Sequence, residues 1–87
     1  MDKELIKSGI KTNVYHISFD SDVKLHKHQN YDEIFYCLKG TGYGVLENIE
    51  KYLVVGDEFI VKENTMHSLR SDSDMWIASI LILCIKE

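Results

Sequence analysis

Apolar and polar residues alternate along most of this chain in short runs. The runs are separated by Gly, Asn, Asp and Ser, and the chain contains no Pro. Alternation with period two puts successive side chains on opposite faces of an extended strand. The segment Asn13 to Phe19 places Tyr15, Ile17 and Phe19 on one face. Asp20-Ser21-Asp22 reads as a turn, Val23 to His28 as a short strand and Gln29 to Asp32 as a loop. Glu33 to Lys39 is the next strand, ended by Gly40-Thr41-Gly42, and Tyr43 to Glu47 with Ile49 to Val55 form a hairpin around Asn48. Gly56-Asp57 turns into a strand from Glu58 to Lys62, and Glu63-Asn64-Thr65 into one from Met66 to Arg70. Past Ser71 to Asp74 comes a long last strand, Met75 to Ile85, where Trp and four Ile outweigh a helical alternative.

About eight or nine strands at intervals of roughly 8–12 residues predict an all-β sandwich or barrel. The first ten residues read either as a helical turn or as an extra edge strand. The 87 residues hold a single domain, with a barrel core from about 13 to 85. At this size the buried fraction of the surface is modest, so a metal, a disulfide or a partner subunit would add needed stability.

Charge and cysteine usage narrow the classes. Ten Lys and Arg against fourteen Asp and Glu give a net charge of −4, and the basic residues are scattered singly. A nucleic-acid backbone binder needs a basic patch, so no nucleic-acid partner is expected. Cys37 and Cys84 are too few for a disulfide scaffold, and MDKELIKSGIK lacks the apolar core of a signal peptide. Met75 to Ile85 is the longest apolar-rich stretch, at eleven residues. A membrane-spanning helix needs about 20. The expectation is a cytoplasmic protein with reduced thiols and no membrane partner.

Candidate chemistry concentrates in His26-Lys27-His28 and Glu33. Residues two apart on a strand share a face, so His26 and His28 aim two imidazoles at one point while Lys27 faces away. The offset of five to Glu33 would flip it on a continuous strand, but the loop from Gln29 to Asp32 resets the register and lets Glu33 face inward. His67, just past a turn on a later strand, is a fourth candidate. Three imidazoles and a carboxylate suit divalent zinc, iron, manganese, nickel or copper. His16 lies opposite the face of Tyr15, Ile17 and Phe19, has no partner nearby in sequence, and reads as structural or solvent-facing.

At these residues the sequence resembles the cupins. His26-x-His28, four residues, Glu33, six residues and Gly40 reproduce the first cupin motif, H-x-H-x4-E-x6-G. Gly56 and His67 stand at the separation of the second, G-x5-P-x-G-x2-H-x3-N. The chain departs from the pattern at Asp20, where the first motif's leading Gly would fall, and at Lys62, Asn64 and Ser71, which replace Pro, Gly and Asn. Asn tolerates the left-handed conformation that Gly supplies, so the turn before His67 can survive.

The resemblance spans about Val14 to Ile85 and implies an antiparallel jelly-roll β-barrel (a double-stranded β-helix of the RmlC-like kind). It implies one divalent metal, iron, manganese, nickel or zinc, held by His26, His28, Glu33 and His67. If Glu33 and His67 point inward, Phe35, Cys37 and Leu69 share their faces and line the pocket or pack as core; Cys37 is then a reactive thiol or a small buried hydrophobe. The implied function is metal-dependent binding of a small oxygenated molecule, with dioxygenase or isomerase chemistry and Glu33 as a possible base. The alternatives are a non-enzymatic ligand-binding or sensor module, with a structural metal or none. The last strand is apolar on both faces, which predicts either a homodimer or cover from the first ten residues.

Overall fold

The computed structural model describes residues 9–21 and 23–85. Seven strands appear among them: β1 (Ile10–Ser18), β2 (Tyr31–Gly40), β3 (Gly42–Leu46), β4 (Glu50–Leu53), β5 (Glu58–Val61), β6 (His67–Arg70) and β7 (Asp74–Leu83). They form two antiparallel sheets, one ordered β1-β7-β2-β5 and one ordered β4-β3-β6. The described residues contain no helix, and so none long and apolar enough to cross a membrane.

The all-β expectation holds, with corrections. The segment Val23 to His28 is not a strand. Its backbone pairs with the sheets at one bridge, where the His26 and His67 amides each donate to the other's carbonyl at 3.0 and 2.8 Å, and the Ser68 hydroxyl of β6 donates to the Val23 carbonyl at 2.6 Å. A single bridge fixes His26 without building a ladder. The first strand starts earlier than expected, at Ile10, and ends at Ser18, whose carbonyl and hydroxyl close a turn with Ser21. The expectation for residues 1–8 lies outside the described residues. Nor do the ladders of the described residues close into a barrel. At the corner between β4 and β5 the link is a side chain, the Lys51 ammonium donating to the Glu58 carbonyl at 2.7 Å.

Strand parity sets the core. Glu33, Phe35 and Cys37 of β2 point between the sheets, as do Met75, Ile77 and Ser79 of β7. They meet Phe59 and Val61 of β5 and Leu69 of β6, with the Phe35 and Phe59 rings stacked 5.9 Å apart. Gly44 on β3 is the space this stack needs, because a Cβ there would lie 2.4 Å from the Phe59 ring. Gly44→Ala is therefore expected to cost about 1–3 kcal/mol through overpacking. Urea unfolding of the variant checks this, and an unchanged midpoint would contradict it. The turn after β4 needs its glycine differently. The Asp57 amide donates to the Val54 carbonyl at 2.9 Å, and Gly56 adopts φ of 94°.

The outward face of the four-stranded sheet is also apolar. Ile80 stands between Thr12 and Ile34, and Ile34 pairs with Ile60. The next row is Val14, Ala78 and Tyr36. No other described element covers this face, and Val14 and Ile60 are 60% and 55% exposed.

Candidate metal centre

Four side chains converge at one end of the space between the sheets. Glu33 comes from the inner face of β2, His67 from the first position of β6, and His26 and His28 from the segment that bridges to β6. One donor atom from each lies within 4.8 Å of every other. A metal ion bound at about 2.1 Å would set its ligands roughly 3–4 Å apart, so a small contraction completes the fit.

The turn before His67 works as the substitution there allows. Asn64 takes φ of 63°, and its amide donates to the His28 carbonyl at 2.8 Å, tying the two histidine segments together. Ser71, the other departure, is buried and donates its hydroxyl to the Thr41 carbonyl at 2.6 Å.

Hydrogen bonding fixes which ring nitrogens face inward. Nδ1 of His26 lies 2.9 Å from the Lys24 carbonyl, and Nδ1 of His67 lies 2.7 Å from the Thr65 carbonyl. A carbonyl only accepts, so both Nδ1 atoms carry protons and both Nε2 atoms are the ones available to a metal. The His67 and His28 Nε2 atoms stand 2.9 and 3.2 Å from one Glu33 oxygen. The other Glu33 oxygen accepts from the Ser79 hydroxyl.

Glu33 and His67 are buried, His28 is half-buried and His26 is exposed. Burial pushes the Glu33 carboxyl up, but the hydrogen bonds from His67 and Ser79 outweigh it and hold the group below the ordinary carboxylate range. Burial likewise pushes His67 down, while Glu33 and the Thr65 carbonyl outweigh it and hold the imidazole above its usual value. This donor set fits a divalent cation. It combines one buried anionic oxygen with three imidazoles, two of them oriented by backbone carbonyls as metal-bound histidines usually are.

Ser79 escaped the sequence reading. The signal was present: it is the one hydroxyl in the apolar run from Met75 to Ile85, at the same parity as Met75 and Ile77. A buried polar residue needs a partner, and here the partner is Glu33. Ser79→Ala is expected to weaken metal binding about 10–100-fold, the usual cost of losing a group that orients a ligand. Competition against a chromogenic chelator measures it, and an unchanged affinity would contradict the role.

The candidate ligands open into a cavity of about 300 Å³, whose other walls are Tyr15, Ile17, Val23, Phe35, Leu69 and Leu81. Phe35 and Leu69 stand in this wall. Cys37 does not. It lies two residues further along β2, fully buried, with its thiol toward the Lys39 and Gly40 carbonyls. Burial pushes that thiol up, which suits a small hydrophobe rather than a nucleophile. His16 is solvent-facing as expected, but it has partners. Pairing of β1 with β7 brings it 2.8 Å from Asp74 and stacks it on Trp76 at 4.5 Å.

A family model described as a cupin domain matches residues 14–85. No curated protein matches the chain. Among solved structures, a predicted oxalate decarboxylase from Thermotoga maritima is similar at 24% identity and a TM-score of 0.81, over 95% of this chain and 75% of that one. A cupin protein from Bacteroides fragilis is similar at 20% identity and a TM-score of 0.79, over 91% and 71%. The DMSP lyase DddQ from Ruegeria pomeroyi is similar at 17% identity and a TM-score of 0.79, over 91% of this chain but 41% of that one. At these identities the likenesses are likenesses of fold.

Proposed function

The chain belongs to the cupin domain family, and we propose that it is a single-domain cupin binding one divalent metal through His26, His28, Glu33 and His67. The ion would anchor a small oxygenated molecule in the adjoining cavity. The observation that carries this reading is the convergence of four donor atoms within 4.8 Å at the wall of a cavity of about 300 Å³. When bound, a divalent ion supplies Lewis-acid polarisation, and iron or nickel would add dioxygen chemistry. The chain's own residues bind, orient and exclude water. Glu33 is better suited to ligation than to proton abstraction, because the contacts from Ser79 and His67 that stabilise its carboxylate also lower that carboxylate's affinity for a proton.

Dioxygenase and isomerase chemistry both fit a metal with open positions. The neighbours' names include a predicted oxalate decarboxylase and a DMSP lyase, which do not choose among reactions for this chain. A binding or sensor module without turnover is the second reading. It is favoured by the cavity, which stands at the lower end of the 300–1,000 Å³ usual for ligand sites. In fold terms we read the two sheets as halves of a jelly-roll whose seams are closed by side chains. The two free thiols support a cytoplasmic location.

Metal linkage tests this reading. An ion at 100 times its Kd adds about 2.7 kcal/mol to the folded state, which in a domain of this length raises Tm by on the order of 10–20 °C. Thermal unfolding with zinc, manganese or iron(II), each against EDTA, reads the shift. Identical melting under all conditions would contradict the proposal.

The outer sheet face supports a homodimer. Ile10, Val14, Tyr36, Ile60, Trp76 and Ile82 are each 38–60% exposed. Together they leave on the order of 600 Å² of apolar surface uncovered, as much as the largest patch on a typical monomer and close to the roughly 800 Å² each partner gives a stable interface. Sedimentation equilibrium is expected to return twice the 10.1 kDa chain mass. Ile60→Lys, an exposed substitution, is expected to return the monomer. A monomeric wild type at about 100 µM would overturn the assignment.

A further inference from the structure

Apart from its four candidate ligands and the hydroxyl of the half-exposed Tyr15, the cavity wall is apolar, made of Ile17, Val23, Phe35, Leu69 and Leu81. From this we infer that the site takes a small monoanion: one oxygen headgroup, a carboxylate or an enolate, on a compact apolar body. The inference rests on the metal-binding reading above and names the ligand class of that same site.

Charge sets the headgroup. Three neutral imidazoles and one carboxylate around a divalent cation leave one net positive charge. A monoanion neutralises it. A dianion would leave a net negative charge inside an apolar chamber, where an uncompensated charge is strongly disfavoured. No Lys or Arg among the described residues lines the cavity to offset it. The cations nearest in sequence to the ligands are placed elsewhere. Lys24 and Lys27 are exposed and outside the cavity wall, Lys62 pairs with Asp32 at 3.7 Å, and Arg70 is held by Glu50 and Asp72 over the Tyr43 ring. A neutral molecule would leave the positive charge uncompensated and would compete poorly with water.

Volume and lining set the body. At roughly 30 Å³ for each water in the liquid, the cavity of about 300 Å³ holds on the order of ten. A ligand of similar size has a short chain or one small ring. Phe35, Leu69 and Leu81 offer that body dispersion contacts and no hydrogen-bond partner, so a second polar group placed against them, away from the Tyr15 hydroxyl, would lose its water without replacement.

Calorimetry on protein first loaded with one equivalent of zinc tests the assignment with three probes of matched length: butyrate, succinate and 1-butanol. Butyrate is expected to bind at least about tenfold more tightly than either of the others. Succinate binding as well as butyrate would overturn the charge argument, and 1-butanol doing so would overturn the need for an anion. Failure to load zinc appears before any organic probe is added and overturns the metal-binding reading itself. Val23→Lys puts a cation in the wall on a segment outside the strands. It is expected to shift the ratio toward succinate by at least about tenfold, and an unchanged ratio would overturn the inference.

Discussion

Glu33→Gln is expected to cost about two orders of magnitude in metal affinity while leaving the fold intact. Gln has nearly the same volume, and its amide oxygen can still accept from Ser79, so the packing around the site is conserved. What is lost is the one buried negative charge among the four donors. A four-ligand zinc site is worth about 10–16 kcal/mol, so one ligand carries on the order of 3 kcal/mol, roughly a hundredfold in Kd. A chelator competition series on wild type and variant measures the ratio, with circular dichroism confirming the fold. Equal affinities would show that Glu33 is not a ligand.

The second large effect concerns the scaffold. Ile77→Ala is expected to destabilise the chain by about 2–5 kcal/mol, the usual range for such a deletion in a well-packed core. Ile77 is fully buried at the middle of β7, opposite Tyr15 on one side and Cys37 on the other. A chain of this length has a total stability on the order of 4–13 kcal/mol, and Tm should fall by roughly 10–25 °C. Val55→Ala, at a position 61% exposed beside the Gly56 turn, is the control and should melt close to wild type. If both variants melted together, the core would not lie where the two sheets place it.

The convergence of the four candidate side chains was the most legible part of this chain. Period-two alternation is local, and so is the turn chemistry that reset the register before Glu33. Asn30, at φ of 70°, makes that reset one residue before β2 begins. The pairing of His67 with Glu33, by contrast, spans 34 positions; residue type made His67 a candidate, and the likeness to known motifs strengthened it. Where the sequence misled, a strand's neighbours were at fault. Val23 to His28 alternates well, but a strand needs a ladder, and among the described residues its backbone pairing with β6 is the single bridge at His26. Phe19 shares parity with Ile17, yet β1 has already ended at Ser18, and the ring is 75% exposed. Cys37 shares a face with Glu33, but four residues of strand rise, roughly 13 Å, carry it out of the cavity wall. His16 gained Asp74 and Trp76 from a pairing register that the sequence does not display.

Elemental analysis of protein purified without added metal, run beside His67→Ala, tests the central claim most directly. His67 is 1% exposed and its Nε2 faces the cluster, so removing it takes away the most buried of the imidazoles. The expected result is about one equivalent of a divalent metal in the wild type and far less in the variant. A wild type free of metal, and still free after reconstitution with iron, manganese, nickel and zinc, would contradict the account.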